Sequence, residues 1–307
     1  MTLKRMLLLL LLAMLLAGCA GASAEGGLSV VCTDFPCYDF ARQAAGEFAD
    51  VTMLIKPGAE VHAYDPTPSD ILAIGGADLF VYIGGESDAW VESILSGFDA
   101  GDAPRALRLM DCVSGLLEEE GEADRHESAE GPEYDEHIWT SLPNAAAMVR
   151  AVGAALSEAD PEHADDYAGN AAAYAAEIEA LDAEIRDMVA GAARRELVFA
   201  DRFPFLYFVR EYGLDYLAAF PSCTADTEPS AQVLTALIRR VIDGGIPAVY
   251  TIELSTQAIA RTVAEETGAE ILTLQSLQTV SQDDFDAGKT YVSLMRENLG
   301  ALRKGLN

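Results

Sequence analysis

Short apolar runs alternate with amphipathic segments along most of this 307-residue chain. Such alternation is typical of α/β folds, in which helices cover mostly parallel sheets. The apolar runs that we predict as strands form two groups, at 28–31, 51–55, 79–83 and 106–110 and then at 196–200, 214–220, 248–252 and 271–274. We therefore predict an α/β fold of two lobes with mostly parallel sheets.

A long helical pattern separates the two groups of strands. It begins at Asp160-Pro161, a capping residue followed by proline, and continues to about residue 190 with almost no glycine inside. A helix of about 30 residues spans roughly 45 Å, which is too long for one small lobe. We predict that residues 160–192 form a helix that joins an N-terminal lobe, 28–159, to a C-terminal lobe, 193–307, and that a helix at 283–306 closes the chain.

The first 18 residues have the features of a bacterial lipoprotein signal. Lys4-Arg5 precede an apolar run at 6–16, and Leu16-Ala17-Gly18-Cys19 follows. The run is shorter than the roughly 20 residues needed to cross a bilayer, so a signal peptide, 1–18, is favoured over a transmembrane helix. We predict lipidation of Cys19 and a short tether, 19–27, that anchors the protein on the extracytoplasmic face of the cell membrane.

The composition is strongly acidic, with 50 aspartates and glutamates, 20 lysines and arginines, and a formal net charge of −30. This charge repels nucleic acid and anionic lipid and raises the local concentration of cations. Much of it serves solubility. The acidity is therefore compatible with a cation as ligand and excludes nucleic acid as a partner.

Four cysteines remain beyond Cys19, and outside the cytoplasmic membrane an even number permits disulfides. Three pairings are possible, and the sequence does not choose among them. Their spacing fits no standard zinc motif, so we favour structural disulfides or buried thiols over metal ligation for Cys32, Cys37, Cys112 and Cys223.

His62 lies in a proline-rich loop between a predicted strand and a predicted helix. Pro57-Gly58 stops the strand at 51–55, and Thr67-Pro68 supplies a cap and a first-turn proline for the next helix. His62 therefore follows the carboxyl end of a strand, where open α/β sheets place their ligands. We predict that His62 is one ligand of a metal site. A single loop histidine is weak evidence for such a site, so this prediction requires further ligands nearby.

Three further polar residues occupy comparable positions. His137 directly precedes a predicted helix and follows an acidic segment, 117–136, that we expect to be a mobile loop. Asp201 and Glu253 each end a predicted strand of the second group, and the helix that follows Glu253 is expected to be capped by Ser255. Each lobe thus offers two polar groups, and we predict that His62 and these three residues meet as metal ligands in the cleft between the lobes.

Several segments, in this order, make the chain similar to a known family. They are the loop at 57–70, the segment 134–144, the long helix, and the segment 205–214. On these motifs the chain resembles the solute-binding lipoproteins of zinc and manganese ABC transporters, from about residue 28 to its end. The resemblance implies two α/β lobes joined by a backbone helix, one divalent ion in the interlobe cleft, and histidine ligands at His62 and His137.

The chain departs from this family at the third ligand position. The family usually has histidine or glutamate three residues before the aromatic that ends its third motif, and counting back from Phe205 reaches Arg202. Arginine stays protonated and has no lone pair for a metal. Either the neighbouring Asp201 replaces it, or the site has three protein ligands, or Arg202 pairs with a carboxylate; we favour Asp201. Glu253 matches an acidic position of the family only with a gap.

Two imidazoles with one or two carboxylates suit zinc, which has the higher intrinsic affinity, and leave room for manganese. We therefore predict a non-catalytic, lipid-anchored receptor, a monomer, that delivers Zn²⁺ or Mn²⁺ as cargo to the membrane permease of an ABC importer. A zinc-dependent hydrolase is one alternative, although the chain has no His-Glu-x-x-His or Gly-x-Ser-x-Gly motif. A surface adhesion lipoprotein is the other.

Overall fold

The protein is described here as a computed structural model that covers residues 27–99, 101, 103–118, 134–220 and 229–307. The predicted signal peptide, Cys19 and Cys223 lie outside these residues. Within them, the strands form two four-stranded sheets in which every pairing is parallel. The predicted α/β class with two parallel sheets is confirmed.

The strands lie close to the predicted apolar runs. They are β1 (Leu28–Cys32), β2 (Ala49–Met53), β3 (Leu79–Tyr82), β4 (Arg105–Arg108), β5 (Glu196–Phe199), β6 (Asp215–Ala218), β7 (Ala248–Thr251) and β8 (Glu270–Thr273). The first sheet has the order β2-β1-β3-β4 and the second the order β6-β5-β7-β8. The two sheets therefore share one topology, and the loops after their strands open at the carboxyl edges, where ligands bind in such folds.

The helices of the described residues connect and cover these strands. They are α1 (Phe35–Ala45), α2 (Pro68–Gly75), α3 (Ala89–Leu95), α4 (Leu142–Ala159), α5 (Ala164–Gly191), α6 (Leu206–Tyr212), α7 (Ala231–Gly244), α8 (Ala258–Thr267), α9 (Gln282–Asp286) and α10 (Tyr291–Gly305). None of the helices in this part of the chain is long and apolar enough to cross a membrane.

The predicted linking helix is α5, which follows a short 3₁₀ turn at Pro161–His163. Its 28 residues extend about 42 Å at the usual rise per residue. Tyr174 and Ile178 on its buried face belong to one hydrophobic core that also contains Val30 of β1 and Phe199 of β5. The helix therefore shares one hydrophobic core with strands of both sheets. The exact lobe boundaries, at 159/160 and 192/193, remain predictions.

Two helix starts differ from the sequence-based expectation. The predicted closing helix at 283–306 is split, because Gly288 adopts a left-handed conformation, with φ of 68°, and Thr290 then caps α10. In the other case Ser255 was expected to cap α8. Its hydroxyl instead accepts a hydrogen bond from the backbone of Gln257, and this local turn delays the helix until residue 258.

The described cysteines are free thiols. Cys32 and Cys37 are buried in the core of the first sheet, and Cys112 is partly exposed. Burial raises the pKa of the Cys32 and Cys37 thiols well above the ordinary value. Both therefore behave as buried thiols, which is one of the two alternatives that the sequence left open.

Candidate metal centre

His62, Glu136 and His137 form a cluster that can hold a metal ion. Each offers one ligand atom, and these atoms all lie within 4.8 Å of one another. Among the residues that the structure describes, no other group of three or more histidines, cysteines and acids meets this condition. The structure therefore brings together the two histidines predicted from the sequence and adds a carboxylate that was not predicted as a ligand.

The loop that carries His62 is fixed at the start of α2. The Asp70 carboxylate accepts hydrogen bonds from the backbone and hydroxyl of Thr67 and from the hydroxyl of Tyr64. Val61, directly before the histidine, is buried. On the far side of the loop the backbone N–H of Gly58 donates to Thr279, which follows β8 of the second sheet. These contacts hold His62 at the boundary between the two sheets.

His137 is held by the buried turn that follows it. Ile138, Trp139 and Thr140 form one 3₁₀ turn and are all buried. The Thr140 hydroxyl donates to the carbonyl oxygen of His137 at 2.8 Å. The Trp139 indole donates at 2.7 Å to the carbonyl oxygen of Ser276, which follows β8. This turn therefore fixes the histidine and also ties its segment to the second sheet.

The two imidazoles are neighbours, with ring centroids 5.9 Å apart and ring planes tilted by 56°. Nδ1 of His137 lies 3.1 Å from Oδ1 of Asp135, which also accepts the backbone N–H of His137. A carboxylate oxygen only accepts, so Nδ1 carries the proton and Nε2 presents its lone pair. Nε2 of His62 is buried and has no hydrogen-bond partner among the described residues, as is expected of an atom placed to bind a metal.

Burial is the main cause that lowers the pKa of His62 below its ordinary value. His137 and Arg202 lower this pKa further, whereas the nearby Glu136 and Glu60 oppose the shift. A metal binds the neutral imidazole through its lone pair, so a lowered pKa keeps the ring in the form that can ligate.

Glu136, the third member of the cluster, contacts loops that follow strands of both sheets. Its Oε1 accepts hydrogen bonds from the Ser87 hydroxyl at 2.5 Å and from the Gln278 side chain at 3.2 Å, and its Oε2 accepts the backbone N–H of Ser87 at 2.8 Å. Gln278 belongs to the loop after β8. Each carboxylate oxygen has two lone pairs, so Oε2 keeps one that can reach a metal.

Asp201 and Glu253 follow β5 and β7, as predicted, but they are not part of the three-residue cluster. Oδ1 of Asp201 accepts the backbone N–H of Arg202, whereas Oδ2 is buried without a hydrogen-bond partner among the described residues. Both oxygens of Glu253 accept hydrogen bonds from Ser276, and burial raises the pKa of this carboxyl. Their roles as ligands stay predictions.

A cavity of about 170 Å³ opens between the two sheets beside this cluster. Glu60 and Val61 line it from the His62 loop, and Arg202, Glu253 and Gln278 line it from the second sheet. Nη1 of Arg202 lies 3.1 Å from Oε2 of Glu60 across this cavity. Arg202 thus pairs with a carboxylate, which is one of the alternatives for this position.

Two buried carboxyls lie behind the cluster at the carboxyl edge of the first sheet. Asp34 caps α1 by accepting the backbone N–H of Cys37, and Asp88 accepts the backbone N–H groups of Ile83 and Gly84. Burial raises the pKa of Asp34 to about 8 and that of Asp88 to about 7. Negative neighbours add to both shifts, and the backbone donors oppose them.

The raised pKa of Asp34 predicts a pH-dependent stability of the metal-free protein. The folded state keeps a proton that the unfolded state loses above the ordinary pKa of 3.8. This contribution to stability is therefore complete below that value and is lost as the pH rises through about 8. Asp34→Asn keeps the capping oxygen and removes the charge. We expect the free energy of unfolding of the Asp34→Asn protein, relative to that of wild type, to rise by a few kcal/mol between about pH 5 and pH 9.

Urea denaturation of EDTA-treated protein over this pH range measures the effect. Asp165→Asn is the matched control, because Asp165 also lies in the first turn of a helix but is exposed to solvent. A difference for Asp34→Asn that stays as flat as that of the control would contradict the prediction.

Comparisons with known proteins identify relatives of this chain. The family described as "Zinc-uptake complex component A periplasmic" matches residues 30–305. The chain is 33% identical over 302 residues to the zinc-binding lipoprotein AdcA of Streptococcus pneumoniae, covering 97% of this chain and 60% of AdcA. It is 32% identical over 302 residues to the high-affinity zinc uptake system protein ZnuA of Bacillus subtilis, covering 95% of this chain and 94% of ZnuA.

The likeness extends to solved structures. The Zn(II)-bound ZnuA-like domain of Streptococcus pneumoniae AdcA superimposes with a TM-score of 0.76 at 30% identity, and the alignment covers 92% of this chain and 99% of that domain. The chain spans about 60% of the length of whole AdcA. Since the family match extends over nearly all of the described residues, the chain belongs to the family of the periplasmic component A of zinc-uptake complexes.

Proposed function

We propose that this chain is an extracytoplasmic receptor that binds one Zn²⁺ between its two sheets and passes it to the membrane permease of an ABC importer. It is anchored by a lipid on Cys19 and acts as a monomer. The names of its relatives support this role, because AdcA is a zinc-binding lipoprotein and ZnuA is part of a zinc uptake system. These names describe binding and uptake, so the chain is a solute-binding component and not an enzyme.

The single observation that carries this proposal is the convergence of His62, Glu136 and His137. In the complex the two imidazoles ligate through Nε2 and Glu136 through a carboxylate oxygen. Asp201 completes a four-coordinate site when its buried Oδ2 turns to the ion. Glu253 ligates only through a lone pair that its hydrogen bonds with Ser276 leave free.

This ligand set favours zinc over manganese. Two imidazoles and two carboxylates in tetrahedral arrangement suit Zn²⁺, and zinc lies above manganese in the usual order of divalent affinities. Carboxylate-rich sites also accept harder ions, so Mn²⁺ is a weaker cargo at the same place.

Isothermal titration of EDTA-treated protein with Zn²⁺ and with Mn²⁺ tests the proposal. We expect one zinc per chain, with tighter binding than that of manganese. No binding of either metal would overturn the proposal. Metal-dependent turnover on ester, peptide or phosphoester substrates would favour the hydrolase, and normal zinc uptake after deletion of the gene would favour the adhesion lipoprotein.

Glu136→Gln tests the carboxylate of the cluster that was not predicted as a ligand from the sequence. The amide keeps the size of the side chain and removes its negative charge. We expect zinc affinity to fall at least about tenfold, in line with the effect of altering groups around metal sites. Glu177→Gln on the exposed face of α5 is the matched control and leaves the affinity unchanged. Equal affinities of the two variants would show that Glu136 is not a ligand.

A further inference from the structure

Ser87 lies between two members of the metal cluster. Its hydroxyl oxygen is 2.9 Å from Nδ1 of His62 and 2.5 Å from Oε1 of Glu136. Its backbone N–H donates to Oε2 of the same carboxylate at 2.8 Å. One residue therefore contacts the ring of one histidine and both oxygens of the glutamate.

The loop after β3 is shaped to bring Ser87 to Glu136. A Cβ added to Gly85 would lie 2.3 Å from Cβ of Glu136, so only glycine fits there. Asp88 closes the loop, because its carboxylate accepts the backbone N–H groups of Ile83 and Gly84. Ser87, between the glycine and the closing aspartate, is thereby held against a residue 49 positions away in sequence.

The protons of this contact can be assigned from what each group donates. The carboxylate of Glu136 has no proton to give, so the short contact uses the single hydroxyl proton of Ser87. The hydroxyl oxygen is then an acceptor toward His62. Oε1 of Glu136, 3.4 Å from the same Nδ1, is also an acceptor. Nδ1 of His62 must therefore carry the proton of the neutral ring, and Nε2 has the lone pair.

We infer that Ser87 is a positioning residue that fixes the tautomer of His62 and the orientation of Glu136, so that both present lone pairs to the ion. This inference rests on the proposed metal-binding function. Different groups orient the two histidine rings. Asp135 orients His137 through a carboxylate, and Ser87 orients His62 through a hydroxyl. The Ser87 hydroxyl adds no second negative charge beside His62, and it connects the His62 ring to Glu136.

Ser87→Ala removes the nearer of the two acceptors for Nδ1, leaving Oε1 of Glu136 at 3.4 Å, and it removes one of the donors to Glu136. The preference of the His62 ring for a proton on Nδ1 then weakens, and the Nε2–H tautomer, which cannot ligate through Nε2, becomes more populated. Partners of metal ligands typically change metal affinity by 10- to 100-fold when they are removed. We expect a loss of zinc affinity of about this size, whereas Ser87→Thr, which keeps the hydroxyl, retains the affinity to within about threefold.

The test combines ¹⁵N NMR of the metal-free protein with zinc titration. Spectra of the histidine ring nitrogens at about pH 8, above the ordinary imidazole pKa of ~6.5, report the tautomer without any metal. In wild type and Ser87→Thr, Nδ1 of His62 should give the signal of a protonated nitrogen and Nε2 that of an unprotonated one. In Ser87→Ala the two signals should move toward each other. Ser93→Ala, an exposed serine on α3, is the matched control.

The two measurements separate failure of this inference from failure of the proposed function. A wild-type His62 with its proton on Nε2 overturns the inference even if Ser87→Ala does not fold. A Ser87→Ala protein that is folded and binds zinc as tightly as the Ser93→Ala protein also overturns it. Wild-type protein that shows the assigned tautomer but binds no zinc leaves the effect of Ser87 on the His62 tautomer in place and instead overturns the metal-receptor function.

Discussion

Replacing His62 and His137 together by alanine is expected to abolish measurable zinc binding, and either single substitution is expected to weaken it by at least about 100-fold. A four-ligand zinc site contributes about 10–16 kcal/mol of binding free energy at neutral pH. One ligand of four therefore accounts for roughly 3 kcal/mol, and 1.4 kcal/mol corresponds to a factor of ten. Competition titration against a zinc chelator of known affinity measures the change.

His163→Ala is the control for these histidine variants. His163 is bonded through Nδ1 to Asp160 at the start of the linking helix and does not belong to the cluster. Its removal should leave the zinc affinity unchanged. If the double variant of His62 and His137 bound zinc as tightly as His163→Ala, the assigned site would be wrong.

Replacing Asp39 by alanine is expected to destabilise the fold by about 3–5 kcal/mol, which is the typical cost of removing one partner from a buried charged network. Asp39 on α1 is fully buried. Its Oδ1 accepts from Arg42 at 2.8 Å, and its Oδ2 accepts from the Tyr174 hydroxyl on α5 at 2.6 Å and from the backbone N–H of Tyr291 on α10 at 2.8 Å. One carboxylate therefore joins three helices, and without it the buried donors have no acceptor.

Urea denaturation of the metal-free protein measures this loss. Asp39→Asn keeps one acceptor oxygen and should be destabilised less than Asp39→Ala. Asp187→Ala, on the exposed face of α5, should change the free energy of unfolding by less than about 0.5 kcal/mol. A free energy of unfolding for Asp39→Ala as high as that of Asp187→Ala would show that this carboxylate does not hold the helices together.

The fold was predictable from the sequence where the signals are local. Thr67-Pro68 marks the start of α2, and the structure shows Thr67 and Asp70 in the reciprocal capping arrangement that such sequences favour. The strands were predictable because buried parallel strands are continuous apolar runs, as in β3, where all four residues are buried. Ser255 misled the prediction, since a serine that precedes a helix can close a local turn as well as cap the helix.

The candidate site was only half predictable. His62 and His137 could be recognised because each follows or precedes a regular element within a distinctive motif. Glu136 was assigned to the acidic loop, because in the sequence nothing distinguishes it from the acids before it. Glu136 differs from those acids by its contacts with Gly85 and Ser87, which lie 49 or more residues away in the sequence. Such a long-range contact leaves no periodic or local pattern in the sequence.

On the side of the cavity formed by the second sheet, the residue that lines the cavity is determined by side-chain orientation. The sequence places Asp201 and Arg202 at the end of β5, but a shift of one residue decides which of them faces the cavity. In the structure Arg202 lines the cavity and pairs with Glu60, while Oδ2 of Asp201 is buried. This arrangement depends on the packing of the two sheets against each other, which the sequence of one strand end does not contain.

A crystal structure of the zinc complex, with anomalous scattering recorded at the zinc and the manganese absorption edges, tests the central claim most directly. We predict one zinc peak per chain in contact with Nε2 of His62, Nε2 of His137 and a carboxylate oxygen of Glu136, at about 2.0–2.2 Å from each. A zinc peak held by other residues, or no peak at this cluster in crystals grown with excess zinc, would contradict the account.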